Sequence, residues 1–81
     1  MAYVIEYKID ILKALKEKGF SAVRCRREKI LPESTMQRLR HGKPVGLDAI
    51  NTICIILDCQ PSDIIHVSPT KEELDRYGLK F

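Results

Sequence analysis

Tryptophan is absent from the 81 residues, and aromatics are scarce: Tyr3, Tyr7, Phe20, Tyr77 and Phe81 make up 6% of the chain. None of them lies near the middle, so the central core has to be aliphatic, built from Ile, Leu, Val, Met and Cys. Such a core suits small helices better than a sandwich. Long apolar runs are also missing, and none approaches the roughly 20 residues of a membrane span. The N-terminus lacks the basic-then-apolar order of a signal peptide, so a cytoplasmic protein with no membrane partner is expected. The three cysteines, Cys25, Cys54 and Cys59, are odd in number and show neither a CxxC nor a Cys/His ligand spacing. That argues against a disulfide framework and against a zinc site, and all three read as small apolar residues. No glycine-rich phosphate loop is present, and no nucleophile, base and orienting acid recur at suggestive spacing. Neither enzyme chemistry nor a cofactor is expected.

What remains is one small domain with a single modest core, 44% hydrophobic and 31% charged. Its net charge is only +3, but the charge is unevenly spread. Residues 24–43 hold Arg24, Arg26, Arg27, Lys29, Arg38, Arg40 and Lys43 against Glu28 and Glu33, a surplus of five positive charges. Residues 1–23 have a surplus of one, and residues 44–81 are negative by three. A local basic excess suits a polyanion, because each Lys or Arg placed on a phosphate releases counterions. Charge alone fits a solvated helix face equally well.

The apolar pattern predicts a series of short helices. From Lys8 to Lys18, Ile9, Ile11, Leu12, Ala14 and Leu15 fall at helical spacing, and Gly19 follows as a residue able to turn left-handed. Ser21 is an N-cap for a second helix from Ala22 to about Lys29, with Val23 and Cys25 inward. A third helix is expected from about Glu33 to Arg40, seated by Met36 and Leu39 and ended by Gly42. Leu47, Ile50, Ile53, Cys54 and Leu57 mark a fourth, with Ile55 and Ile56 suggesting a second buried or partner-facing side. Pro61 at the first helical position and Asp63 in the first turn start a short fifth helix through Ile64 and Ile65.

The ends admit alternatives. Residues Ala2 to Tyr7, AYVIEY, fit either a short strand or an extended arm. Thr70 and Glu73 form a capping box for a helix over Lys71 to Tyr77, closed by Gly78. That helix either docks through Leu74, Tyr77, Leu79 and Phe81 or belongs to a frayed tail.

The stretch GFSAVRCRREKILPESTMQRLRHG, Gly19 to Gly42, resembles without a gap the segment G-x-S-x-x-x-L-A-x-x-x-G-V-S-x-S-T-I-S-R-x-x-N-G of the Cro and lambda-repressor type, Xre-like, helix-turn-helix family. Ser21 matches the N-cap serine, Cys25 the buried leucine, and Leu31 the buried valine of the turn. Ser34 and Thr35 match the S-T pair, Met36 and Leu39 the two seating residues, and Arg38 and Gly42 the R and G. Two positions depart: the family's small alanine is Arg26, and its turn glycine is Ile30. A β-branched side chain is a poor choice for φ > 0, so the turn is expected to be re-formed around Lys29 to Pro32 with Ile30 inward. Pro32 replaces the N-cap serine and supplies no capping oxygen, so Ser34 with Gln37 offers an alternative capping box.

The resemblance covers about Lys8 to Ile65. It implies an all-α, five-helix, lambda-repressor-like DNA-binding domain over residues 8–66, with the helix-turn-helix at 21–41. Residues 1–7 would be an N-terminal arm or strand, and residues 67–81 a tail with a possible short helix for docking or dimerisation. It further implies a transcriptional regulator, a repressor, bound to double-stranded DNA as a homodimer. With the third helix in the major groove, Glu33, Ser34, Gln37 and Arg38 face bases. Ser21, Arg24, Thr35, Arg40, His41 and Lys43 then meet phosphates. Blander roles compete: Glu33 as a charge favouring a helix N-terminus, and Arg26 as the ion-pair partner of an acid on helix one or four. The rival reading of the whole chain is an antitoxin or phage-derived accessory protein that works through protein contacts at Ile55, Ile56 and the tail.

Overall fold

Asp10 opens the first helix. Its extended backbone and its carboxylate, which accepts from the Lys13 N–H at 3.2 Å, start α1 at Ile11–Glu17. Lys8 lies outside the helix because it is tied elsewhere: its backbone N–H donates to the Ile64 carbonyl at 2.8 Å and its Nζ to the Ser62 carbonyl at 3.0 Å. The computed structural model describes residues 5–80. Within them follow α2 Ala22–Arg27, α3 Glu33–Arg40, α4 Leu47–Leu57, α5 Pro61–Ile64 and α6 Lys71–Tyr77, with strands β1 Ile5–Tyr7 and β2 Ile65–Val67.

The all-α expectation is corrected in one respect, the second strand, while the N-terminal strand and the C-terminal helix allowed for at the ends both form. The described residues form six helices and a two-stranded antiparallel sheet that pairs Ile5 with Val67, Glu6 with His66 and Tyr7 with Ile65. Ile65 leaves the fifth helix and enters β2, because α5 has only one turn and its end is extended. Once strand β1 is alongside, the β-branched Ile65 and Val67 gain backbone partners that one more helical turn would not supply. The Glu6 carboxylate lies 3.3 Å from His66 Nε2 across the sheet. The Ala2–Val4 part of the expected arm and Phe81 of the tail lie outside the described residues.

The core is aliphatic, as composition requires. Ile11 and Leu15 of α1 meet Cys25, Leu31, Met36, Leu39, Ala49, Ile50, Ile53 and Ile64, all buried. Met36 and Ile53 are wholly inaccessible and hold α3 and α4 in the centre. Val23 is a correction: it is 63% exposed, because it lies two positions from the buried Cys25 and so on the opposite side of α2. On α4, Ile55 is 70% exposed while Ile56 is half-buried against the core, so only the former is left to solvent. Helix α6 is capped by Thr70, whose Oγ1 accepts from the Glu73 N–H at 3.2 Å, and ends at Gly78, yet none of its side chains is buried.

Candidate nucleic-acid interface

The turn between α2 and α3 decides how the basic surface is presented. Arg27 is the last helical residue and Lys29 takes the left-handed conformation at φ 54°. The Ile30 N–H then donates to the Cys25 carbonyl at 2.9 Å, and the Lys29 N–H to the Arg26 carbonyl at 3.4 Å. This is the two-bond helix ending usually built on glycine. Here it sits one residue ahead of the position where the family pattern has its glycine. Ile30 is spared positive φ and packs against the core, as expected from the sequence, and Leu31 is buried beside it.

Helix α3 then starts at Pro32, whose ring fits the N-cap position with φ −60° and ψ 150° and gives no side-chain cap bond. The Ser34–Gln37 capping box is not used. Gln37 instead donates to Glu33 Oε1 at 3.3 Å. With Met36 and Leu39 turned in, the outer surface of α3 carries two stripes. One is Ser34, Arg38 and His41, all exposed. The other is Glu33, Gln37 and Arg40, one helical turn apart in succession.

The second stripe is wired together. Arg26 of α2 grips Glu33 through two bonds, Nε to Oε2 at 2.8 Å and Nη2 to Oε1 at 3.3 Å. Arg40 Nη1 donates to Gln37 Oε1 at 3.2 Å. The Arg26 guanidinium holds the Glu33 carboxyl below the usual carboxylate range, with Gln37 and Arg40 pulling the same way. Its own charge is secured in return. Arg26 is thus paired with an acid on the third helix rather than on helix one or four, because the re-formed turn folds residue 33 back over residue 26. It occupies the slot of the family's small alanine with its side chain pointing outward, 55% exposed, so no room in the core is needed.

The expected phosphate-facing residues are distributed as follows. Ser21 is the N-cap of α2 and accepts from the Arg24 N–H at 3.2 Å. Arg24 is half-buried and heavily committed: it bonds Glu28 at 2.9 Å and the Gly19 carbonyl at 3.1 Å, and lies 4.1 Å above the Phe20 ring. Thr35 is half-buried and lines a small hollow with Ile30, Leu31 and Pro32. His41 caps the end of α3, and Lys43 is exposed just beyond it.

The Lys43 backbone is pinned from two sides. Its N–H donates to the Arg38 carbonyl at 2.8 Å, and its carbonyl accepts from the Tyr7 hydroxyl at 2.6 Å. Burial pushes the Tyr7 phenol up, which keeps it a donor. Sequence reasoning missed this tie, the Arg26–Glu33 clamp, and the exposed cations Arg27 and Lys29 at the turn. Only the basic surplus hinted at the last two.

The arrangement offers cations on one rim and an exposed helix face bearing hydrogen-bonding groups, with no polar side-chain atom left buried and unpaired among the described residues. Among the described residues no cluster suited to a metal ion occurs, and no helix is long and apolar enough to cross a membrane. Residues 10–70 match the family model of the Cro/C1-type HTH DNA-binding domain. Comparison with curated proteins and with solved structures finds no match.

Proposed function

The chain belongs to the Cro/C1-type helix-turn-helix DNA-binding family, and from that premise we propose that it is a sequence-specific transcriptional repressor of the cytoplasm that binds its operator as a homodimer. The observation that carries this reading is the exposed Ser34–Arg38 stripe, backed by the buried Met36 and Leu39. Arg38 makes no side-chain bond among the described residues, so its guanidinium is available for guanine O6 and N7. Glu33 and Gln37 face the same groove in a fixed pose. Gln37 suits adenine N6 and N7, while Glu33 offers its remaining lone pairs to cytosine N4. The Ser21 helix start, Arg24, Thr35, Arg40, His41 and Lys43 meet the backbone and set position rather than sequence.

Two copies are needed because one unit of this size makes too few contacts for a specific site, and joining two multiplies the binding. Leu47, 86% exposed, and Ile55 lie on α4 and supply an apolar surface for the second copy. The same two side chains favour the rival reading, an antitoxin or accessory protein that uses this face on a different partner. Selection from a random duplex pool separates them. A two-fold motif with half-sites about one helical turn apart is the expected result. A pool with no enriched sequence overturns the specific-repressor reading. Duplex retention that is insensitive to changing Arg38 and Lys43 to Ala favours the rival.

A further inference from the structure

Two of the three cysteines are neighbours in space. Helix α4 ends at Leu57, and Asp58 turns left-handed at φ 52°, so the chain doubles back. The Cys59 N–H donates to the Cys54 carbonyl at 3.0 Å, and the Asp58 N–H to the Ile55 carbonyl at 3.3 Å. In a helix ending of this type the side chains at the positions of Cys54 and Cys59 meet. Ordinary bond lengths limit the two Cα atoms to a separation of about 7 Å even with every bond in line. The bend of the turn brings them into the window of roughly 4.4–6.8 Å that a disulfide spans.

The backbone bond from Cys59 to Cys54 places the two cysteines at either end of one helix-closing turn. Both are half-buried and line one open cavity beside Ile55, Asp58 and Pro61, which gives a small reagent access. Cys25 differs in every respect. It is 1% exposed, and its thiol lies 3.7 Å from the Phe20 carbonyl.

We infer that Cys54 and Cys59 are a modification site, a dithiol that a low-molecular-weight disulfide such as glutathione disulfide converts to an intrachain disulfide across the end of α4. This inference does not rest on which bases α3 reads; Leu47 and Ile55 border the same cavity, so a second copy seated on that face must release before the reagent enters. Cys54, fixed on the last turn of α4, is the first nucleophile in the exchange. Its thiolate bonds one glutathione sulfur, the glutathione S–S bond breaks, and the departing thiolate takes up a proton. Cys59 then loses its proton to solvent, attacks the Cys54 sulfur of the mixed disulfide and expels the second glutathione thiolate. Two cysteine thiols are oxidised by two electrons, and one glutathione disulfide becomes two thiols.

The test uses the full chain incubated with glutathione disulfide, alkylated after denaturation and digested with trypsin. No cleavable Lys or Arg separates Cys54 from Cys59, so both fall on the peptide 41–71, while Cys25 falls elsewhere. The expected result is loss of two hydrogens from that peptide, no alkylation of Cys54 or Cys59, and full alkylation of Cys25. Mixed disulfide should stay below about a tenth of the closed form, since the second thiol is held in place. Melting temperature should rise by roughly 9–18 °C. Persistent glutathione on either cysteine without closure, bonding through Cys25, disulfide-linked dimers or a fall in melting temperature each overturn the inference. Cys54→Ser and Cys59→Ser should each trap one stable glutathione adduct on the remaining thiol. Should either variant fail to fold, the wild-type peptide map decides alone.

Discussion

Replacing Lys29 by glycine should stabilise the protein. Lys29 holds φ 54°, a conformation that costs a residue with a Cβ about 1–2 kcal/mol. Glycine removes that cost but loses about 0.5–1 kcal/mol to the greater freedom of the unfolded chain. The net gain is about 0.5–1 kcal/mol, a rise of roughly 2–8 °C in melting temperature for a domain of this size. Lys29→Ala separates strain from charge, since it deletes the ammonium and keeps the Cβ. Ile30→Gly supplies the opposite sign. Ile30 packs against the core without positive φ, so this change loses apolar burial and adds chain entropy, about 1.5–3 kcal/mol in the destabilising direction. Urea titrations followed by far-UV circular dichroism would measure all three. An Ile30→Gly protein as stable as Lys29→Gly would mean that the left-handed residue is Ile30 and that α2 does not end on Lys29.

Three further outcomes are expected. Arg38→Ala should weaken the preferred operator by about 1–3 kcal/mol and relax the base preference at one position, whereas Lys43→Ala should weaken all duplexes alike and reduce the salt slope by about one; equal losses on cognate and random duplexes for Arg38→Ala would remove it from the bases. Because Arg26 lowers the Glu33 carboxyl, the stabilisation from that pair is complete above the ordinary glutamate value of about 4.3 and is lost as pH falls through the lower folded value. Glu33→Gln should therefore flatten the acid limb of the stability profile, and an unchanged limb in urea titrations across pH would contradict the clamp. Met36→Ala, in the wholly buried seat of α3, should cost about 2–5 kcal/mol, a large part of the roughly 4–12 kcal/mol available to 81 residues, and calorimetry would show the loss.

Much of this architecture is legible in the sequence where information is local. Ser21, Thr70, Gly19, Gly42 and Gly78 are read correctly as caps because capping depends on side chains three or four residues away. Helix α3 appears with the bounds its Met36–Leu39 spacing predicts. What escapes depends on distant partners. Ile65–Val67 looks like the end of a helix until strand β1, some 60 positions earlier, is alongside. Val23 reads as core because it is apolar, but it lies two positions from Cys25, and on a helix those two side chains point to opposite sides. Arg26 and Glu33 are seven residues apart with a turn between them, so their pairing follows from the turn's geometry and from no helical periodicity. The pattern nominates residues for the site, but it does not reveal which of them are already engaged with one another.

The pairing of β1 with β2 also governs how the chain folds. Helices α1 to α5 pack on one another at shorter sequence separations than the three-residue ladder, which must close a loop that contains all of them. Loop closure is favourable only after the enclosed helices have condensed, so the ladder forms late and opens early. Tyr7 belongs to that ladder, and its hydroxyl holds the Lys43 carbonyl just past α3. Each transient opening of the sheet therefore frees the chain at the end of α3 while Met36 and Leu39 stay seated. The fold is zipped from the middle outward, and its last fastening is the one that sets the posture of the loop beyond α3.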